Sequence, residues 1–159
     1  MKDLVLMHYV LILEVWQIPE GIFSNHGKYA VEILKRFDML DCESMDNNLK
    51  SLCDESSELV DVTQYKPIIG LLMYLTNTRP DICFVVNTLI QYLVQPRHVH
   101  LVAIKHVMRC LKGTIDFGLY YDGKHDYRLY GYANVDSAGS VSDRKTTSSG
   151  CYCLGPSMI

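Results

Sequence analysis

The hydrophobic period of this chain changes along its length, and those changes limit what it can fold into. Between about residues 64 and 114 apolar side chains recur at i, i+3 and i+4, the spacing of helices with a buried face. Before that stretch, at His8 to Trp16, and after Gly113, Val, Ile, Leu and Tyr gather in short blocks bounded by turn residues, as in strands. Strand segments flanking a run of helices predict an α+β fold.

The first block runs into Pro19-Glu20-Gly21, a turn signal, and Ile22-Phe23-Ser24 reads as the return strand of a hairpin. Asn25 or His26 ends it. A helix is predicted over Gly27 to Asp38, with Tyr29, Ala30, Ile33, Leu34 and Phe37 on one face. Met39 to Thr63 sets Asp41, Glu43, Asp46, Asp54, Glu55, Glu58 and Asp61 against Lys50 alone, and reads as an acidic surface linker with little fixed structure. The alternating D-x-D-x-D-G spacing of a calcium loop is absent from it.

In the middle, Pro67 suits the first turn of a helix reaching Leu75. Thr78-Arg79-Pro80-Asp81 predicts a break and a restart, with Pro80 in the new first turn and Asp81 complementing the helix dipole. Ile82, Phe84, Val85, Val86, Leu89, Ile90 and Leu93 predict an element buried nearly all round, ended by Pro96. The next helix runs from about His98 to Leu111, with Leu101, Ile104, Met108 and Leu111 as its apolar stripe and Gly113 as its C-cap. Lys105, Arg109 and Lys112 stand at i, i+4 and i+7, so they share one face. They form the candidate basic patch; the plain alternative is a solvated helix face. Beyond Gly113, Phe117 to Tyr121 and Tyr127 to Tyr132 read as strands joined through the Asp122-Gly123 turn. Asp136 to Asp143 reads as a polar loop and Ser149 to Leu154 as a last strand. These closing strands have too few partners for an independent sheet, and the chain reads as cut at both ends.

The net charge of −3 gives no overall attraction to nucleic acid, so binding of that kind requires a local basic face. The cysteines at 42, 53, 83, 110, 151 and 153 make no zinc pattern and are expected to be reduced and mostly buried. Cys151 and Cys153 form a C-x-C pair, which a strand would place on one face. The apolar run Leu4 to Leu13 contains His8, lies between Asp3 and Glu14, and precedes no A-x-A-like cleavage site. Ile82 to Val94 is too short to span a bilayer. The chain is therefore expected to be soluble and intracellular, with no membrane partner, and it carries no address for a compartment.

Several blocks together resemble the Pol polyprotein of copia-type LTR retrotransposons in plant-like form. Met1-Lys2-Asp3-Leu4 and the strand through Glu14-Val15 are similar to M-K-D-L-G and F-L-G-I-E-V, with Leu13 read at the family's Gly. Gly21-Ile22-Phe23 and Lys28-Tyr29-Ala30 through Ile33-Leu34 resemble G-I-F-L-S-Q-x-K-Y-A-x-x-I-L. The most specific block is Ile69-Gly70-Leu71-Leu72-Met73-Tyr74-Leu75-Thr76 with Thr78-Arg79-Pro80-Asp81-Ile82, close to I-G-S-L-M-Y-L-T-x-T-R-P-D-I. His100 through Leu111-Lys112-Gly113-Thr114 resembles H…A-x-K-x-x-L-R-Y-L-K-G-T. Gly131 to Gly139 and Asp143 to Ser148 resemble G-Y-S-D-A-D-W-A-G and D-R-K-S-T-S, with Ser137 in place of Trp.

The resemblance implies a layout. Residues 1–38 would end a reverse transcriptase palm with its primer-grip hairpin and first helix, and 39–63 would be the acidic linker. Residues 64–114 would be the helical thumb and connection, and 115–159 the first strands of a truncated RNase H-like sheet. It gives Lys105, Arg109 and Lys112 a role beside an RNA–DNA or DNA duplex, contacting phosphates without reading sequence. The family uses Mg2+ or Mn2+, held by converging carboxylates. Asn134 stands where the first RNase H carboxylate belongs and Asp136 matches the second acidic residue of the block. Asn is neutral, so it cannot supply the charge that holds a hard cation. No two aspartates are adjacent in the chain, so the polymerase Tyr-Val-Asp-Asp turn is not in it. The expectation is a retrotransposon-derived fragment with no intact catalytic set, no metal or other cofactor of its own, and partners in upstream polymerase and downstream RNase H segments. The alternative is a domesticated, non-catalytic module that binds nucleic acid or protein.

Overall fold

The computed structural model describes residues 8–44, 56–124, 128–136, 147–155 and 157–158, with only the backbone described at 134–136 and 147–149. Their architecture is mixed, with four helices and two antiparallel sheets. The predicted acidic residues Asp46, Asp54 and Glu55 and the opening Met1-Lys2-Asp3-Leu4 block lie outside the described residues.

The first sheet has the order β1 (Tyr9–Val10), β2 (Leu13–Ile18), β3 (Gly21–Asn25), β4 (Gly118–Asp122). The single strand expected over His8 to Trp16 is two strands. Leu11 and Ile12 turn the chain with φ of 48° and 71°, so that Val10 pairs with Leu13. A two-residue hairpin loop of type I′ requires positive φ at both positions, and no local propensity of Leu or Ile announces it. The left-handed residues are 11 and 12, whereas the resemblance puts the family's Gly at Leu13. The hairpin expected through Asp122-Gly123 is also not formed. β4 pairs with β3, from Gly21 opposite Asp122 to Asn25 opposite Gly118, and the Gly123 N–H donates to the Glu20 carbonyl at 2.8 Å. A Cβ on Gly118 would strike the Ser24 carbonyl, so glycine lets the strands meet at that end.

The second sheet joins β5 (Leu129–Asp136), β6 (Thr147–Leu154) and β7 (Ser157–Met158). The Ser157 hydroxyl donates to the Tyr120 carbonyl of β4 and so ties the two sheets.

The helices are α1 (Gly27–Arg36), α2 (Val62–Leu75), α3 (Pro80–Ile90) and α4 (His98–Gly113). α2 starts inside the stretch expected to be linker, because the Asp61 carboxylate caps it by accepting the Thr63 N–H at 2.8 Å. Pro67 therefore lies within the helix rather than in its first turn. Just before it the chain is also held: the Val60 N–H donates to the Pro96 carbonyl at 2.8 Å, and the His98 N–H to the Glu58 carbonyl at 2.8 Å. The restart at Pro80 is observed, with Pro in the first turn. That helix is not buried all round, since Phe84 is 81% exposed, and it ends at Ile90, before Pro96. Gly113 stays helical, and Thr114 is the C-cap of α4, donating its N–H to the Leu111 carbonyl.

Leu34, Leu72, Ile82, Val86, Leu89 and Leu111 are fully covered at the centre of a core shared by all four helices. Each such side chain stabilises the fold by about 1.5–3 kcal/mol relative to exposure. Among the described cysteines Cys110 is buried, but Cys42, Cys83, Cys151 and Cys153 are half-buried, so the expectation of mostly buried thiols is corrected. No helix among the described residues is long and apolar enough to cross a membrane.

Candidate nucleic-acid interface

The most specific sequence block is a joint between elements. Thr78 and Arg79, at the start of α3, are both buried. The Thr78 hydroxyl lies 2.7 Å from His26 Nδ1 at the end of β3. The Arg79 guanidinium takes a fork grip on Asp81, Nε to Oδ1 at 2.9 Å and Nη2 to Oδ2 at 2.7 Å. It also donates to the Thr114 carbonyl at 2.9 Å and the Thr114 hydroxyl at 2.6 Å. Thr78-Arg79-Pro80-Asp81 thus fastens the first sheet, α3 and the C-terminal end of α4 together. Desolvation works to raise the Asp81 pKa, but the hydrogen bond and charge of Arg79, with backbone N–H groups, outweigh it and hold the carboxyl below its ordinary value. Burial lowers the His26 pKa against the opposing pull of Glu14.

The joint sets the direction of α4. Its buried side carries Ala103, Ile104, Val107, Met108 and Leu111. On the side away from them, Lys105 is exposed, and Arg109 and Lys112 are half-buried. Helical geometry puts all three in one stripe, as the spacing predicts, and extends that stripe to exposed His98 and Val102. No Asp or Glu occurs anywhere in α4. His98 was legible as an earlier member of the same stripe but was not singled out.

A second feature went unseen in the sequence. An open groove of about 450 Å3 is lined by Glu14, Trp16, Lys28, Lys35, Ile115 and Asp116, among others. Glu14 is buried at its base, accepting the Lys28 backbone N–H at 3.1 Å and pairing with Lys28 Nζ at 2.9 Å. That hydrogen bond, helped by the charge of Glu14, raises the Lys28 pKa. Trp16 tilts against Phe23 with ring centroids 5.6 Å apart. The residues come from β2, α1 and the turn after α4, so no local motif marks them.

Asn134 and Asp136 both lie in β5, opposite Ser149 and Thr147 of β6, and their side chains are outside the described residues. They belong to a different element from the basic stripe. Among the described residues no three of His, Cys, Asp and Glu gather as a cation site. The resemblance implies paired-metal chemistry at this strand, and a neutral amide at 134 lacks the charge of a carboxylate ligand.

The chain is 36% identical along its whole length to an uncharacterized mitochondrial protein of Arabidopsis thaliana, covering 68% of that protein. It is 33% identical, over 94% of its length, to the retrovirus-related Pol polyprotein from transposon RE2 of Arabidopsis thaliana, and 32% identical, over 97%, to that from transposon RE1. It spans 10% and 11% of those two polyproteins. No family model matches the chain, and no solved structure matches it.

Proposed function

The chain belongs to the family of retrovirus-related Pol polyproteins from copia-type transposons, and from that premise we propose that it is a reverse transcriptase and RNase H-derived segment that holds nucleic-acid duplex without cleaving it. The observation that carries this reading is α4, a helix of 16 residues without a carboxylate, whose outer stripe presents Lys105, Arg109 and Lys112 in a chain of net charge −3. Cations gathered on one rigid element attract phosphates even where the whole chain is acidic. Arg79 and Asp81 support this role from inside, fixing the end of α4 that carries Lys112. The absence of cleavage follows from Asn134, whose amide replaces a carboxylate that metal-dependent hydrolysis needs.

The test is equilibrium binding of the chain to RNA–DNA hybrid and to duplex DNA of equal length, with hybrid integrity followed in Mg2+ and in Mn2+. Salt-sensitive binding to both duplexes, lost when Lys105, Arg109 and Lys112 become Ala, is the expected result. Undetectable binding, or binding indifferent to those substitutions, overturns the duplex-holding role. Hybrid cleavage abolished by EDTA overturns the absence of nuclease activity.

A further inference from the structure

β6 carries Cys151 and Cys153 two positions apart, so both thiols leave one face of the strand. Their sulfur atoms are 3.9 Å apart. β7 then folds back on β6 and sets Met158 directly opposite Cys153. Directly opposed residues on antiparallel strands project from the same face with Cβ atoms about 4.5–5.5 Å apart. The return depends on Gly155, whose φ of 60° is one that glycine adopts without strain. The pairing thus sets the Met158 side chain on the face of the second sheet that carries the two thiols. Both thiols are half-buried and Met158 is 37% exposed, so a solute reaches them.

At 3.9 Å the two thiols are within hydrogen-bonding distance of each other, and the same spacing suits two ligands of one metal better than a disulfide. A disulfide needs the sulfurs at about 2.05 Å, and strand positions two apart, with Cα atoms about 6.8 Å distant, lie at the upper limit for bridging. Two thiolates bound to one metal at about 2.3 Å lie about 3.8 Å apart at a tetrahedral angle and about 4.0 Å apart at a trigonal one. The observed spacing falls between these. Structural zinc takes four ligands, and among the described residues no third Cys, His, Asp or Glu joins the pair. Soft thiolate and thioether ligands select Cu(I) instead.

We propose that Cys151, Cys153 and Met158 form a three-sulfur binding site for Cu(I). Binding converts two thiols to thiolates and releases two protons, with no change of oxidation state, and leaves a site of net charge −1. The site is independent of duplex binding by α4.

The test titrates Cu(I) into the reduced 159-residue chain in competition with a coloured Cu(I) chelator. One Cu(I) withheld per chain is expected, with an X-ray absorption spectrum showing a sulfur-only shell at about 2.3 Å. The paired substitution of Cys151→Ser with Cys153→Ser should lose that site, whereas Cys42→Ser with Cys83→Ser should keep it. Met158→Leu should weaken it while leaving the far-UV circular dichroism unchanged. Full surrender of the metal by the parent chain to the chelator overturns the proposal, as does retention by a folded Cys151→Ser, Cys153→Ser variant. If that variant misfolds, Met158→Leu decides: weaker binding supports the site and unchanged affinity overturns it.

Discussion

Arg79 and Thr114 are 35 residues apart in sequence and joined twice in space, Nη1 to the Thr114 carbonyl at 2.9 Å and Nη2 to its hydroxyl at 2.6 Å. The first residue precedes α3 and the second closes α4, so this contact sets how the two helices meet. A lysine has the charge but not the planar fork, and cannot hold Asp81 and both Thr114 groups at once.

Arg79→Ala should therefore destabilise the chain by about 2–3 kcal/mol, below the range for a fully buried pair because Asp81 remains partly solvated. Thr114→Val, which keeps the carbonyl contact, should cost about 1 kcal/mol. Urea unfolding of both single variants and the double variant checks the coupling. Effects that add within about 0.5 kcal/mol would show that the two residues do not act together. The depressed Asp81 pKa adds an acid limb: its contribution is present above the ordinary value of 3.8 and lost as pH falls through the lower folded value.

His26 gives a second, separate pH dependence. It is buried and bonded to Thr78, and its folded pKa lies below the ordinary 6.5. Below 6.5 the unfolded chain takes up a proton that the folded chain resists, so stability is full above that pH and declines as pH falls from 6.5 toward the folded value. Unfolding free energies measured between about pH 5 and 7.5 should show the decline, and His26→Gln should flatten it. An unchanged slope in the variant would assign the effect elsewhere.

The β1–β2 turn predicts a stabilising substitution. Ile12 is β-branched and sits at φ 71°, where an L side chain is strained by about 1–2 kcal/mol. It is 36% exposed, so its removal uncovers little core. Ile12→Gly should raise stability by about 0.5–1 kcal/mol after the entropy of glycine is offset, and adding Leu11→Asn should raise it further. Thermal unfolding reads both. A lower midpoint in Ile12→Gly would show that the side chain stabilises more by packing than the turn loses by strain.

These residues show what was legible in the sequence. The Thr78-Arg79-Pro80-Asp81 break was readable because Pro at a helix start acts locally, and the α4 stripe because its period is local too. The Leu11-Ile12 turn was not, since tertiary pairing of Val10 with Leu13 imposes a conformation that neither residue favours. Asp122-Gly123 correctly marked a turn, but a turn signal does not name the strand's partner, and β3 offered an open edge. The Asp61 cap was hidden among other carboxylates. The Arg79–Thr114 contact and the groove at Trp16 unite distant segments, which no spacing rule connects.

The basic stripe on α4 makes the most discriminating prediction. If Lys105, Arg109 and Lys112 each neutralise one phosphate, log K for duplex should fall with log salt at a slope of about −2.7, because each contact releases about 0.9 counterion. Each single Ala substitution should reduce the slope by about 0.9, whatever the base sequence. The three need not weigh equally in affinity: Lys105 is exposed, whereas Arg109 and Lys112 are half-buried and already partly desolvated. A slope that stays fixed while affinity drops would mean that the substitutions disturb the helix rather than remove phosphate contacts. His98 provides the internal check. It lies exposed on the same stripe, so weaker duplex binding by a His98→Glu variant of unchanged far-UV circular dichroism would place the duplex along the full length of α4. Binding unaffected by His98→Glu would confine it to the C-terminal half.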